Sequence, residues 1–272
     1  MKVFGILSDE RAFKSKSPAM HNRVLRQRGI DGVYVPFAVE PGQIGEAIRG
    51  LKALKIAGAN VTVPHKEAVI PYLDELSAEA TAIGAVNTIV RDKARLIGHN
   101  TDAAGFTDAL AEAGFEASGR EVLVLGTGGA ARAVLFGLGR MDPARITLAG
   151  RNQARTTELA ARTGATPANL ESLADQPLEA ELVINCTSAS SQAESPELAG
   201  LARRLDLSGC RLVFDLNYGR KANFWQDLAW ECGATFSDGL SMLAHQARRS
   251  FFLWTGLVVE AREFLAALEE NP

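Results

Sequence analysis

The stretch Glu121–Leu125 reads as a buried strand, and it runs straight into Gly126-Thr127-Gly128-Gly129-Ala130-Ala131 and then into a helix ending near Gly139. Few sequence features restrict a fold more tightly. A strand, a glycine turn and a helix that opens at the turn form the first half of a parallel βαβ unit. The first glycine permits the tight turn, the second lets the backbone approach a phosphate group, and the small third residue lets helix and strand pack closely. Backbone N–H groups and the helix dipole then face whatever negative charge the turn accepts. Gly126-x-Gly128-x-x-Ala131 in this setting points to a dinucleotide.

The rest of the chain alternates in the same manner. Val3–Leu7, Val33–Val39 and Ala57–Val63 read as strands. Ser17-Pro18 opens a helix with Ser17 as its cap, Pro41 starts another running to about Leu54, and a short helix follows Pro64. A helix is expected around Ser77–Ile83, and Val86–Val90 with Arg95–Gly98 as a strand pair. After a helix from Asp102 to Ala113 come the glycine-turn unit, a strand at Ile146–Ala149, a helix from about Asn152, and buried strands at Leu182–Asn185 and Leu212–Leu216. The end, from Gly239 onward, is helical and is divided at Gly256. Strands that are apolar throughout and alternate with helices, as in this second half, predict a parallel sheet covered on both faces. Two α/β lobes follow, with joints near residues 102–106 and 237–239.

Composition removes several classes of function. The 272 residues are 47% hydrophobic and carry a formal net charge of -3, which gives no long-range attraction to a nucleic-acid backbone. No apolar run approaches the ~20 residues of a membrane span, and the N-terminus meets Asp9 and Glu10 too soon for a signal peptide. Cys186, Cys210 and Cys232 are odd in number and widely spaced, which suits a reducing cytoplasm. His21, His65, His99 and His245 are scattered, and no metal site is expected. The partner that remains is a small molecule.

The segment after the second strand of the βαβ unit selects the dinucleotide. An NAD pocket places an acid there to hold the ribose hydroxyls. Gly150-Arg151-Asn152-Gln153-Ala154-Arg155 contains no acid and two arginines. A guanidinium matches a 2′-phosphate in charge and fork geometry, so NADP is favoured; the alternative is that both arginines are solvated helix-start residues.

In the first hundred residues, polar groups gather where strands should end: Lys14-Ser15-Lys16-Ser17-Pro18, Asn60-Val61-Thr62-Val63-Pro64-His65-Lys66, Ala85-Val86-Asn87-Thr88 and Gly98-His99-Asn100-Thr101-Asp102. Hydroxyls, amides and a Lys/Asp pair suit a polyhydroxylated carboxylate. Each has a plainer reading: Ser17 as a helix cap, Asn87 as a turn residue, Asp102 as the cap of the following helix.

Taken in order, Ser-x-Ser-Pro-x-x-His-Asn, Asn-Val-Thr-x-Pro-x-Lys, Gly-Ala-Val-Asn-Thr and Asn-Thr-Asp-x-x-Gly resemble the shikimate dehydrogenase family. The resemblance continues through Asn185-Cys186-Thr187-Ser188, Asp215-Leu216-Asn217-Tyr218, Gly239-Leu240-Ser241-Met242-Leu243, Gln246-Ala247 and Trp254-Thr255-Gly256. It implies an α/β protein of two lobes. Residues 1–103, completed by 240–272, would be the substrate-binding catalytic domain, and 104–239 a Rossmann NADP-binding domain. It further implies Lys66 and Asp102 as the catalytic pair, with Ser15 and Ser17 on the substrate carboxylate. Thr62, Asn87, Tyr218 and Gln246 would be further substrate contacts. Gly126, Thr127, Gly128, Gly129 and Ala130 with Gly150, Arg151, Asn152 and Arg155 would hold NADP, and Leu216 and Gly239 would line its nicotinamide end. The chain departs from the pattern in two places. Gly5-Ile6-Leu7 lacks the family's proline and Lys14 stands for its histidine, while Gly219-Arg220-Lys221 replaces the usual residues after Tyr218.

The activity so implied is the reversible NADP-dependent reduction of 3-dehydroshikimate to shikimate, a step toward chorismate and the aromatic amino acids. The enzyme would be cytoplasmic and a monomer or homodimer. Lys66 would supply a proton or stabilise oxyanion charge at the ketone oxygen, and Asp102 would hold it. Two rivals stand beside this. One is quinate or aminoshikimate oxidation on the same fold. The other is a non-catalytic NADP-responsive binding protein, which could afford to lose Lys66 or Asp102. No Gly-x-Ser-x-Gly elbow is present, against a serine hydrolase.

Overall fold

The computed structural model describes residues 1–175 and 177–269; Gln176 and residues 270–272 of the expected lobes lie outside them. In chain order the elements are β1 (Lys2–Ser8), α1 (Ser17–Gln27), β2 (Gly32–Ala38), α2 (Ile44–Ala53), β3 (Gly58–Val61), β4 (Glu75–Leu76), α3 (Ala78–Ile83), β5 (Thr88–Asp92) and β6 (Arg95–His99). There follow α4 (Asp102–Glu112), β7 (Glu121–Leu125), α5 (Gly129–Leu138), β8 (Arg145–Gly150), α6 (Gln153–Thr163), β9 (Thr166–Asn169), β10 (Leu182–Asn185) and α7 (Pro196–Ala202). The chain continues through β11 (Leu212–Asp215), α8 (Phe224–Glu231), β12 (Thr235–Ser237), α9 (Leu240–Thr255) and α10 (Ala261–Glu269). It divides into two compact units, Met1–Gly105 with the stretch from Leu243 onward, and Phe106–Met242.

The first unit holds a six-stranded sheet in the order β2-β1-β3-β5-β6-β4. It is mixed. β1 runs parallel to β2 and β3, but β5 is antiparallel to both β3 and β6. The cause is local: β5 and β6 are joined by a two-residue turn at Lys93-Ala94, with Lys93 at φ 54°, and a connection that short can only reverse the chain. β1 shows why both faces are covered. Phe4 and Ile6 point into a core shared with Met20, Tyr34, Phe251 and Phe264, while Leu7 points into one shared with Ile44, Ile48 and Val61.

The second unit is a sheet of six parallel strands in the order β12-β11-β10-β7-β8-β9, the order of a Rossmann fold. In β7, Val122 and Val124 join one core and Leu123 and Leu125 the other, which is why this strand reads as apolar throughout.

Some local expectations are corrected. Pro41 does not start a helix. Gly42 follows at φ 92°, outside the right-handed helical region, and α2 begins only at Ile44. The segment after Pro64 is a run of turns ending in a 3-10 turn at Ile70–Tyr72, where Pro71 removes an amide that an α-helix would use. Strands β9 and β12, each at an edge of its sheet, and helices α7 and α8 carried no clear sequence signal; β9 contains Pro167, which an edge strand tolerates.

The first unit buries one titratable group among aromatic rings. His21, 1% exposed, stacks on Tyr34 at 4.5 Å between ring centroids and meets Phe264 edge-on at 5.3 Å. Neither ring nitrogen has a hydrogen-bond partner among the described residues. Burial pushes its pKa down to about 3. Below its ordinary pKa of about 6.5 the unfolded chain takes a proton that the folded chain refuses, so this group makes stability fall as pH drops toward 3, by up to about 1.4 kcal/mol per pH unit. His21→Phe is therefore expected to flatten the loss of Tm between pH 6.5 and pH 4 relative to the unsubstituted protein. Parallel Tm–pH curves for the two would contradict the buried neutral imidazole.

Candidate active site

In the first unit the strand directions bring the polar segments to one rim. β1, β3 and β6 point the same way, and β5 runs against them. The C-terminal ends of β1, β3 and β6 therefore lie beside the N-terminal start of β5. Ser15 and Ser17 follow β1, Thr62 and Lys66 follow β3, Asn87 precedes β5, and Asp102 follows β6. The Val63–Pro64 peptide is cis, Thr62 donates its amide to the Leu7 carbonyl at 3.0 Å, and Val86 donates its own to the Lys66 carbonyl at 2.8 Å. The Lys66 backbone is thereby tied to the residue before Asn87.

Lys66 Nζ donates to Asp102 Oδ2 at 2.7 Å, with side chains only 13% and 7% exposed. Asn87 Nδ2 donates to the other oxygen, Asp102 Oδ1, also at 2.7 Å. Asp102 is the first residue of α4 but does not cap it. That role falls to Asn100, whose Oδ1 accepts the amides of Asp102 at 3.0 Å and Ala103 at 3.4 Å. Both Asp102 oxygens are thus turned to side chains. Asn87 is likewise more than a turn residue: its Oδ1 accepts the Thr101 amide at 2.8 Å. Gln246, 7% exposed, brings its Oε1 to 3.4 Å from Asn87 Nδ2. The approach of α4 to α9 that allows this needs Gly105, where an added Cβ would stand 2.8 Å from Gln246 Cβ.

Ser17 does not cap α1. It is the first helical residue, after Lys16 in right-handed helical conformation, and no side chain caps this helix. The Ser15 hydroxyl accepts the Ser17 amide at 3.2 Å, Ser15 is half-buried and Ser17 is buried. The departure ahead of them, Glu10–Lys14, is a 3-10 turn capped by Asp9, and the Arg11 guanidinium bonded to that carboxylate at 2.8 and 2.7 Å holds its pKa at about 2.

In the second unit the backbone builds the site. Gly126 has φ 112°, and a Cβ there would lie 3.0 Å from the Cys186 carbonyl group. Gly128 occupies the N-cap of α5, exposed, with nothing within 4 Å of where its Cβ would be. Gly129 and Ala130 open the helix and no side chain caps it, so the helix start beside Gly128 is a cradle that fits a pyrophosphate. At the end of β8, Gly150 lies against Thr127, where a Cβ would be 2.9 Å from its methyl. Asn152 caps α6 by accepting the Arg155 amide at 3.1 Å, while Arg151 and Arg155 are exposed at the same helix start. Gly239 is dictated by contact, since a Cβ there would overlap the Leu216 carbonyl. Tyr218 lies on the loop after β11, its carbonyl accepting from Arg220 Nη1 at 3.1 Å.

Sequence reasoning gave no role to several residues that shape these regions. Asn100, the cap, stood in plain view beside Asp102. Asp215, fully buried, accepts from Asn185 Nδ2 at 2.8 Å, from Asn217 and from Asn223 Nδ2 at 2.8 Å, and so ties the loops after β10 and β11. Arg220, in the second departure, pairs with Glu194 at 2.8 Å, which in turn accepts the amides of Ser190 and Ser191. A pairing across such sequence distance leaves no local signal.

Comparison with known proteins agrees across both units. Residues 10–89 match the shikimate dehydrogenase substrate binding domain, 109–221 the shikimate / quinate 5-dehydrogenase family, and 239–269 the shikimate 5′-dehydrogenase C-terminal domain. A shikimate dehydrogenase (NADP(+)) of Moorella thermoacetica is 42% identical over 250 residues, covering 89% of this chain and 84% of that protein. One of Symbiobacterium thermophilum is 39% identical over 285 residues, covering 100% and 96%. Among solved structures, shikimate 5-dehydrogenase of Thermus thermophilus in complex with NADP(H) and shikimate superposes with a TM-score of 0.86 at 33% identity, covering 99% of each chain. Matching domains in order along the chain, relatives of this identity over nearly its full length, and the same two-unit architecture establish that this chain belongs to the shikimate dehydrogenase family.

Proposed function

We propose that the protein catalyses the reversible, NADP-dependent interconversion of 3-dehydroshikimate and shikimate, a step in the cytoplasmic route to chorismate and the aromatic amino acids. The observation that carries this reading is the Lys66–Asp102 pair at 2.7 Å, shielded from water and held by Asn87 at the rim of a polar strand edge. A non-catalytic NADP-responsive protein would have no need of a buried ammonium–carboxylate pair whose desolvation costs stability.

The first unit, with its C-terminal helices, is read as the substrate domain and the second as the NADP domain. Bound NADPH supplies the hydride. Lys66 Nζ carries three protons; Asp102 takes one, which leaves others to hydrogen-bond the substrate oxygen, stabilise the developing alkoxide and deliver the proton it requires. Asp102 holds that ammonium in position and can accept from a substrate hydroxyl. Ser15 and Ser17 supply the hydroxyls for the substrate carboxylate, and Thr62, Asn87, Gln246 and Tyr218 supply groups for its ring oxygens. Gly126, Thr127, Gly128, Gly129 and Ala130 receive the pyrophosphate. Arg151 and Arg155, with no acid between Gly150 and Arg155, receive the 2′-phosphate while Asn152 keeps the helix start ordered. Leu216 and Gly239 line the nicotinamide end.

Shikimate oxidation followed at the nicotinamide absorbance, with NADP and NAD in parallel and quinate as the competing substrate, tests the reading directly; turnover of quinate but not shikimate would replace it. Lys66→Ala is expected to lower kcat by about 10²- to 10³-fold with a much smaller change in the KM for shikimate, since it removes the group that meets developing charge. Nearly normal kcat in that variant would take Lys66 out of the chemistry. Arg151→Ala is expected to raise the KM for NADP by about tenfold, the worth of one charge-assisted contact, and to leave that for NAD almost unchanged. Equal rises with both cofactors would remove the 2′-phosphate role.

A further inference from the structure

Behind Asn87 lie three hydroxyls that the reaction itself does not require. Ser250 and Thr88 are fully buried, and Thr101 is 5% exposed. Ser250 stands one turn beyond Gln246 on α9, Thr88 opens β5, and Thr101 immediately precedes α4. Their oxygens and the Asn87 amide form a closed circuit. Ser250 Oγ is 2.8 Å from Thr88 Oγ1, Thr88 Oγ1 is 2.9 Å from Asn87 Oδ1, Asn87 Nδ2 is 2.9 Å from Thr101 Oγ1, and Thr101 Oγ1 is 3.2 Å from Ser250 Oγ.

A hydroxyl may donate or accept, but an amide is not symmetrical. Its oxygen only accepts and its nitrogen only donates. Asn87 Oδ1 also takes the Thr101 backbone amide, which can only donate, so the amide cannot be turned over. Once Asn87 is fixed, two directions are forced, Thr88 donating to the Asn87 oxygen and the Asn87 nitrogen to Thr101. The ring closes in one sense when Ser250 donates to Thr88 and Thr101 to Ser250, the Thr101 hydroxyl having Asn87 Oδ1, also at 3.2 Å, as its other acceptor. Asn60 Nδ2 donates into the ring from outside, 3.0 Å from Ser250 Oγ and 3.1 Å from Thr88 Oγ1, and Asn60 Oδ1 is itself held by the Tyr34 hydroxyl at 2.8 Å. The helix carbonyl of Gln246, 3.1 Å from Ser250 Oγ, is the more distant acceptor for the serine proton. In this arrangement the second Asn87 amide proton is left for Asp102 Oδ1. Hydrogen bonds that all run one way around a buried ring polarise one another.

We infer that Ser250 and Thr88 are positioning residues: through this one-way ring they lock the Asn87 amide plane and so aim its remaining proton, and with it the Asp102 carboxylate, at Lys66. Ser250 also joins α9, which carries Gln246, to the strand ends that carry Asn87 and Asp102. The inference rests on the proposed roles of Lys66 and Asp102, and goes beyond them to side chains that touch neither partner of that pair.

The test uses the full-length protein with Ser250→Ala, Thr88→Val, the double variant, and Thr88→Ser, which keeps the hydroxyl. With shikimate and NADP, each hydroxyl-free single variant is expected to lose about five- to twentyfold in kcat with the KM for NADP within twofold of the unsubstituted protein. Thr88→Ser is expected to restore kcat to within twofold, and the double variant to be little worse than either single one, because each change opens the same ring. Losses that multiply in the double variant, or kcat within twofold in both single variants, would overturn the ring. Where Thr88→Val does not fold, Ser250→Ala decides by the same criterion, alanine being favourable within a helix. A readout free of turnover separates this inference from the proposed function: the Asn87 side-chain amide protons, followed by ¹H–¹⁵N NMR, should exchange slowly in the unsubstituted protein and in Thr88→Ser, and at least tenfold faster in Ser250→Ala. Slow exchange in all of them sinks the ring whether or not shikimate is oxidised. Absence of shikimate turnover in the unsubstituted protein, with the exchange pattern intact, sinks the functional reading alone.

Discussion

A carboxylate and an ammonium taken out of water must find other partners for their remaining lone pairs and protons, or they neutralise or open to solvent. Asp102 meets that condition with few groups. Its backbone amide goes to Asn100, one oxygen goes to Lys66 and the other to Asn87. None of these groups is near Asp102 in sequence except Asn100. Lys66 comes from the loop after β3 and Asn87 from the start of β5, so Asn87 reaches the pair only because β5 runs antiparallel between two strands of the opposite direction. The mixed sheet of the first unit is therefore what makes its rim polar. A purely parallel sheet would have put the start of β5 at the far edge.

The two units build their sites by different means. In the first, side chains converge from strand ends, and the buried amides and hydroxyls behind them act as a frame. In the second, the backbone itself is the instrument. Gly126 and Gly239 stand where a side chain would collide with neighbouring main chain, and Gly128 leaves the helix start uncovered. Even there a buried polar group organises the loops: the Asp215 carboxylate accepts from asparagine side-chain amides and a backbone amide, and ties the ends of β10 and β11 together.

Both departures from the family pattern are accommodated by short-range charge pairs. The stretch ahead of Ser15 is tied by Asp9 and Arg11, and the segment after Tyr218 by Arg220 and Glu194. Each pair is partly exposed, so its contribution to stability is modest; what it fixes is the course of a loop. The changes sit at loops, and the strand ends that carry Lys66, Asn87 and Asp102 keep their family residues.

The sequence by itself determined the periodic parts of this protein. The glycine turn between β7 and α5, the apolar strands of the second unit and the division of the C-terminal helices at Gly256 were all legible, because they depend on residues adjacent or a few positions apart. The family motifs added the candidate pair Lys66 and Asp102, though Asp102 taken singly admitted a plainer role as a helix cap. Only the tertiary structure decided which role each polar residue has. Local pattern could not show that Asn100, and not Asp102, caps α4, that Ser17 caps nothing, or that Ser250, an unremarked serine on a helix, meets Thr88 and Thr101 from more than a hundred residues away. The physical reason is that a hydrogen bond is chosen by distance and direction in space, and those are fixed only when strand order and direction bring separate segments to one rim.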